Sequence, residues 1–260
     1  MTRIFWCPTG PFSFLPIHAA GLYHTAEPGT KVSDFVISSY LPTLTSLASS
    51  PQNSLHDPSS KLRLLAVPQP PTDGLGSLFS VKHEIDSIRE LCKKSPLVTL
   101  QNSDGTVEDV TEKLKNTDWV HFACHGIQDP EKPLDSGLCL ANHHRLKLSD
   151  IMQLSRPQGG LAFLSACQTA QGDESLSEES VHLAAGMLLA GYSSVIGTMW
   201  SIMDKDAPKV ARDVYEHLFR DASRAPDSTE AAVALHCAVK KLRDSGAPFS
   251  SWVPFIHFGR

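Results

Sequence analysis

Two short apolar runs in this 260-residue chain each end in a reactive side chain. Trp119-Val120-His121-Phe122-Ala123-Cys124 leads into His125-Gly126, and Leu161-Ala162-Phe163-Leu164-Ser165-Ala166 leads into Cys167-Gln168-Thr169. Continuous apolar runs of this length are the pattern of strands buried on both faces, as in a parallel sheet. Two such strands side by side would bring an imidazole and a thiol together at the carboxyl edge, where open α/β sheets carry their sites. The pairing has a chemical point. A free cysteine has a pKa of about 8.5, so only a few per cent is thiolate at neutral pH, and a neighbouring base makes it a better nucleophile.

The rest of the chain supplies the alternation such a sheet needs. Residues 34–40, 62–67, 97–100 and 194–198 read as further strands, and 252–258 as a closing apolar stretch. Between them, 81–91 has Ile85, Ile88 and Leu91 on one helical face, 107–114 reads as a helix beginning near Thr106, and 177–189 and 206–218 follow. In 228–242, Ala231, Leu235 and Val239 share a face. Strands separated by helices imply right-handed crossovers and a mainly parallel sheet, an α/β fold. Residues 49–60 and 68–74 are loops by their Pro, Gly and Ser content. One domain over 1–260 is expected, with 1–60 its amino-terminal part and 61–260 the catalytic core.

Composition narrows the partners. At 41% hydrophobic the chain can bury a large core, and a net charge of −5 with scattered basic residues gives no case for nucleic acid or an anionic membrane. No apolar run approaches the length of a membrane span, and none before Pro8 has the length of a signal peptide. The six cysteines include no Cys-x-x-Cys pair, which points to reduced thiols in the cytoplasm and away from a zinc knuckle. His143-His144 lacks a third ligand nearby and reads as a polar hairpin tip, while His182, His236 and His257 read as packing residues. No glycine-rich phosphate loop occurs, and no metal or cofactor is expected.

Apolar runs ending in His or Cys are common, so each half of the pair is weak alone. Gly126 strengthens it, because a residue without a Cβ lets a substrate carbonyl approach the backbone. The amides of Gly126 and Cys167 would then donate to an oxyanion. The segment Thr169-Ala170-Gln171-Gly172-Asp173 is small and polar enough to turn at the sheet edge. His121 stands early in its run, where alternation directs it into the sheet face, and reads as structural.

These residues carry a resemblance. His-Gly ending one strand and Ala-Cys ending a later one, 42 residues on, resembles the pattern of caspase-like cysteine peptidases. The wording is similar to the CHAT family, often fused to tetratricopeptide repeats. It is carried by His121-Phe122-Ala123-Cys124-His125-Gly126, Leu164-Ser165-Ala166-Cys167-Gln168-Thr169-Ala170 and Val195-Ile196-Gly197-Thr198-Met199-Trp200-Ser201. Ser39-Tyr40-Leu41-Pro42-Thr43-Leu44, the closing Trp252-Val253-Pro254-Phe255-Ile256-His257-Phe258-Gly259 and a fungal-type opening (Trp6-Cys7-Pro8) extend it over nearly the whole chain.

The resemblance implies a caspase-hemoglobinase-like three-layer sandwich and a His125–Cys167 dyad with no third member. It also implies a regulated cysteine endopeptidase acting on protein substrates, with a repeat or nucleotide-binding module as regulatory partner. Residues 200–206 resemble a separase segment beside the substrate pocket, although Ser201 stands where separase has Asp. Trp200, Asp204 and Asp206 would line a pocket for a basic residue preceding the cut, with Asp173 at its rim. The competing reading has Asp204 or Asp206 capping the following helix. Two other functions share the machinery: a catalytically silent caspase-like interaction domain, and a thiol hydrolase or transferase for non-peptide acyl groups.

Overall fold

The computed structural model describes residues 1–25, 27–48, 61–69, 80–93, 95–127, 129, 131–154, 159–168 and 178–260, the side chains of 47, 48, 166–168 and 178–182 excepted. In chain order its elements are β1 (Thr2–Trp6), β2 (Val36–Tyr40), α1 (Thr45–Ala48), β3 (Leu64–Pro68), α2 (Val81–Leu91) and β4 (Leu97–Thr99). There follow α3 (Val107–Leu114), β5 (Trp119–Ile127), β6 (Gly137–Cys139), β7 (Arg145–Lys147), α4 (Leu148–Gln153) and β8 (Gly159–Gln168). The chain closes with α5 (Glu178–Leu189), β9 (Tyr192–Thr198), α6 (Ala207–Leu218), α7 (Ala231–Asp244), α8 (Phe249–Trp252) and β10 (Phe255–Gly259).

One sheet holds the strands in the order β1-β2-β10-β9-β8-β5-β3-β4, with the β6–β7 hairpin added to the end of β5. From β4 to β9 neighbouring strands are parallel. β10 is antiparallel to β9, so β10, β2 and β1 run the other way. The fold is therefore mixed α/β around a mainly parallel sheet, as the alternation implied. The amino-terminal strand β1 is an addition that the alternation did not predict. It pairs along β2 from Thr2↔Val36 to Trp6↔Tyr40, whereas the ladder between β2 and β10 is the single pair Phe258↔Tyr40.

Apolar residues coat both faces of the sheet. On one side Trp119, Ala123, Leu161, Phe163 and Ile196 pack against α2, α6 and α7 through Ile85, Ile88, Val210, Val214 and Leu235. On the other, Val120, Phe122, Cys124, Ala162 and Val195 meet α3, α4 and α5 through Val110, Leu114, Ile151, Ala184 and Met187. Alternate residues of β5 thus go to opposite cores, the period-two consequence of a strand buried on both faces. Local chemistry sets some boundaries: α3 begins where expected because the Thr106 hydroxyl accepts the Asp109 N–H at 3.1 Å. Among the described residues no helix is long and apolar enough to cross a membrane.

Candidate active site

β5 is longer than its neighbour β3, and that excess creates the site. The β3–β5 ladder ends at Pro68↔Ala123, followed by one further bond from the Gln69 N–H to the Ala123 carbonyl at 3.0 Å. Beyond that point β5 takes a new partner on this side, the antiparallel strand β6, with Gly126 opposite Leu138 and Ile127 opposite Gly137. On its other side β8 continues in register to the end: Cys124↔Ala166, His125↔Cys167, Gly126↔Gln168. The backbones of the imidazole and thiol residues therefore stand next to each other at the carboxyl edge, and the neighbouring Gly126 is laddered on both flanks. His125 is 1% exposed.

The β6–β7 hairpin that braces β5 turns through residues 141–144, where Asn142 (φ 58°) and His143 (φ 59°) take left-handed backbone conformations. Asn tolerates that region through local hydrogen bonding, and the exposed His143 and His144 make the polar tip that the sequence suggested. Among the described residues no group of three or more His, Cys, Asp or Glu side chains could hold a metal ion.

Residues 200–206 follow β9, the neighbour of β8, and also lie at the carboxyl edge. Trp200 is half-buried and packs against both cores. Neither carboxyl does what a cap of the following helix would do. Asp206 occupies the position before α6 but makes no side-chain capping bond. Its Oδ1 pairs with Lys209 Nζ at 3.0 Å, while Oδ2 is buried with no hydrogen-bond partner among the described residues. Asp204 does act as a cap, but of a different helix: its Oδ2 accepts the Ser80 N–H, at the start of α2, at 3.0 Å. Asp173 lies outside the described residues, as do the loop 49–60, the larger part of 68–74 and the His182 side chain.

His121, read as structural, is fully buried and held at both ring nitrogens. Nε2 lies 3.1 Å from Oε1 of Glu84 on α2, and Nδ1 lies 3.3 Å from the hydroxyl of Tyr215 on α6. Burial pushes the Tyr215 hydroxyl well above its ordinary range, with the nearby Cys92 and Glu84 adding to the shift, so it stays protonated. Sequence reasoning did not find these two partners. The available signal was Glu84 itself, a carboxylate among the apolar residues Val81, Ile85 and Ile88 on the buried face of α2.

Known proteins place this architecture. Over its whole length the chain superposes on the Arg-specific cysteine proteinase gingipain R with a TM-score of 0.62 and 10% identity, spanning 63% of that chain. Against a complex of the Porphyromonas gingivalis RgpB pro- and mature domains the TM-score is 0.55 at 10% identity, over 90% of this chain and 57% of that one. Against separase in a Saccharomyces cerevisiae separase–securin complex it is 0.54 at 14% identity, over 88% of this chain and 14% of that one. No curated protein sequence matches. The fold is that of the caspase-like proteins. Within that class the chain belongs to the CHAT domain family, whose sequence profile matches residues 1–260.

Proposed function

We propose that the chain is a cysteine endopeptidase that cuts protein substrates with a His125–Cys167 dyad. The observation that carries this reading is the β5–β8 ladder, with His125 opposite Cys167 at the carboxyl edge. In it, Cys167 gives its thiol proton to His125 and the thiolate attacks the carbonyl carbon of the scissile peptide. The amides of Gly126 and Cys167 hold the negative oxygen. Collapse expels the amine, which takes its proton from His125. A water deprotonated by His125 then releases the acyl group from Cys167. An unpaired thiol nucleophile suits a reducing compartment, so the proposed setting is the cytoplasm.

The preference is for a basic residue before the cut. Its support is Asp206, 2% exposed, with one carboxyl oxygen unpartnered among the described residues. A guanidinium donates in a fork that fits such an oxygen. Trp200 would give the pocket an apolar wall and Asp173 its rim, while Asp204 serves the pocket by fixing its loop to α2. Regulation belongs to the same reading, because a 1% exposed His125 meets a peptide only after the edge opens. A protein partner or an attached repeat or nucleotide-binding module would do this; separase and the gingipain RgpB each occur in complexes, with securin and with a pro-domain. The burial of His125 also favours a second reading, a silent caspase-like domain that only binds a partner.

Acyloxymethyl-ketone peptides with Arg, Asp or Leu at the reactive end separate the two. The peptidase reading expects the Arg probe to label the wild type, and neither Cys167→Ala nor His125→Ala. It also expects Asp206→Asn to lower kcat/KM for an Arg peptide by at least about tenfold while sparing a Leu peptide. No labelling, with or without a bound partner, would establish the silent domain. Cleavage that survives Cys167→Ala would sink the dyad.

A further inference from the structure

His121 joins the three elements that the proposed chemistry needs. It lies on β5 two side-chain repeats before His125, Glu84 comes from the first turn of α2, and Tyr215 comes from α6, whose first residue follows Asp206. All three side chains are buried, and Phe163 of β8, the strand that carries Cys167, lies against the His121 ring at a centroid distance of 4.8 Å. α2 is also fastened at its start to the loop 200–206 through Asp204. One imidazole therefore ties together the histidine strand, the helix that anchors the pocket loop and the helix that begins at Asp206.

Physical chemistry argues that this cluster does more than fill space. Buried ionisable groups contribute little to stability compared with well-packed apolar residues of the same volume, and their best-attested use is to fix register. Register matters here because side chains alternate along a strand. His121 and His125 share a face of β5, and a slip of one residue would turn both away. Apolar side chains at 84, 121 and 215 would pack equally well in several nearby arrangements. Three directional partners permit one.

We propose that Glu84, His121 and Tyr215 form a positioning triad that sets His125 against Cys167 and fixes the start of α6 at Asp206. The proposal rests on the peptidase reading above. The test uses the full chain, as wild type, Tyr215→Phe, and the triple variant Glu84→Leu, His121→Phe, Tyr215→Phe, with kinetics normalised to titrated active sites. The triple variant should melt at or above the wild-type temperature, yet lose kcat on the order of 10²-fold, as expected for misplacement of reacting groups by about an ångström. KM for an Arg peptide should rise with it, since the Asp206 end of α6 is released. Tyr215→Phe, which leaves Nδ1 of His121 without its hydroxyl partner, should cost about threefold in kcat and about 1 kcal/mol of stability, with the fold retained. Wild-type kcat in the triple variant would overturn the proposal, and so would a loss that disappears on active-site titration. Failure of the peptidase reading looks different: turnover would then persist in Cys167→Ala.

Discussion

Two fully buried histidines, one under each half of the sheet, show how differently this fold handles the same side chain. His121, in the parallel half, faces a carboxyl group and a phenol. His257, on β10 where the strand direction reverses, faces Ser194 at 2.5 Å through Nε2 and Ser39 at 3.0 Å through Nδ1. Arg3 adds a guanidinium 3.5 Å from the same Nδ1 and donates its Nε–H to Ser39 at 3.0 Å. Burial, reinforced by Arg3, pushes the His257 imidazole well below its ordinary range and keeps it neutral. The parallel half thus spends an acid on its histidine, and the half where the strand direction reverses binds its own with neutral hydroxyls under a cation. The first arrangement ties helices to the strand of the candidate site. The second ties four strands, β1, β2, β10 and β9, to one another.

The largest effect that would break this contrast comes from stranding one partner. Glu84→Leu leaves His121 buried without its acid, and breaking a buried polar pair from one side costs roughly 3 kcal/mol or more. Urea unfolding monitored by circular dichroism measures it. A loss within a few tenths of a kcal/mol would mean that the carboxyl is not holding the ring, and the two histidines would then be equivalent.

A second prediction sharpens the contrast through pH. His18 packs beside the β2–β10 junction, where the Tyr40 hydroxyl bonds its Nδ1 at 2.8 Å and its Nε2 bonds the Val253 carbonyl at 2.9 Å. Burial lowers its pKa to about 4, against the partial support of the Val253 bond. A histidine with a depressed folded-state pKa binds its proton more readily when unfolded. Its stabilisation is complete above the unfolded value of about 6.5 and is lost as pH falls toward 4. His18 alone therefore costs on the order of 3 kcal/mol by pH 4, and His257 acts in the same direction. Denaturant midpoints between pH 7 and pH 4 should fall steeply in the wild type and less steeply in His18→Gln. An unchanged slope would show that His18 takes up its proton as readily in the fold as in the unfolded chain.

The same contrast explains what could be read from the chain. The central strands β3, β5 and β8 were legible because each is buried on both faces and so writes a continuous apolar run. The His125–Cys167 register followed from two such runs ending together. The Thr106 cap was legible because its partner, Asp109, is three residues away. The bonds that organise the site span much longer distances. Glu84 and Tyr215 lie 37 and 94 residues from His121, and Asp204 caps a helix 124 residues upstream. A local reading put that carboxylate in a pocket wall, with the helix next to it as the competing assignment, since nothing local announces a remote cap. β1 escaped for a related reason: five residues before a proline carry too short a pattern, and Arg3 breaks it with a charge that only the folded Ser39 and His257 explain.

The smallest effect tests the hydroxyl side of the comparison. Arginine can only donate, so its approach to Nδ1 of His257 favours a wiring in which Nδ1 is the acceptor. Arg3 Nε–H donates to Ser39, the Ser39 hydroxyl donates to Nδ1, and Nε2–H donates to Ser194. Ser194→Ala then strands one buried N–H and should cost about 1 kcal/mol, well below the loss from Glu84→Leu. Ring-nitrogen NMR of the wild type should show His257 as the Nε2-protonated neutral tautomer throughout the range where free histidine titrates. A cationic ring there would mean that the neutral hydroxyls tolerate a charge beside Arg3, and the physical distinction between the two halves of the sheet would fail.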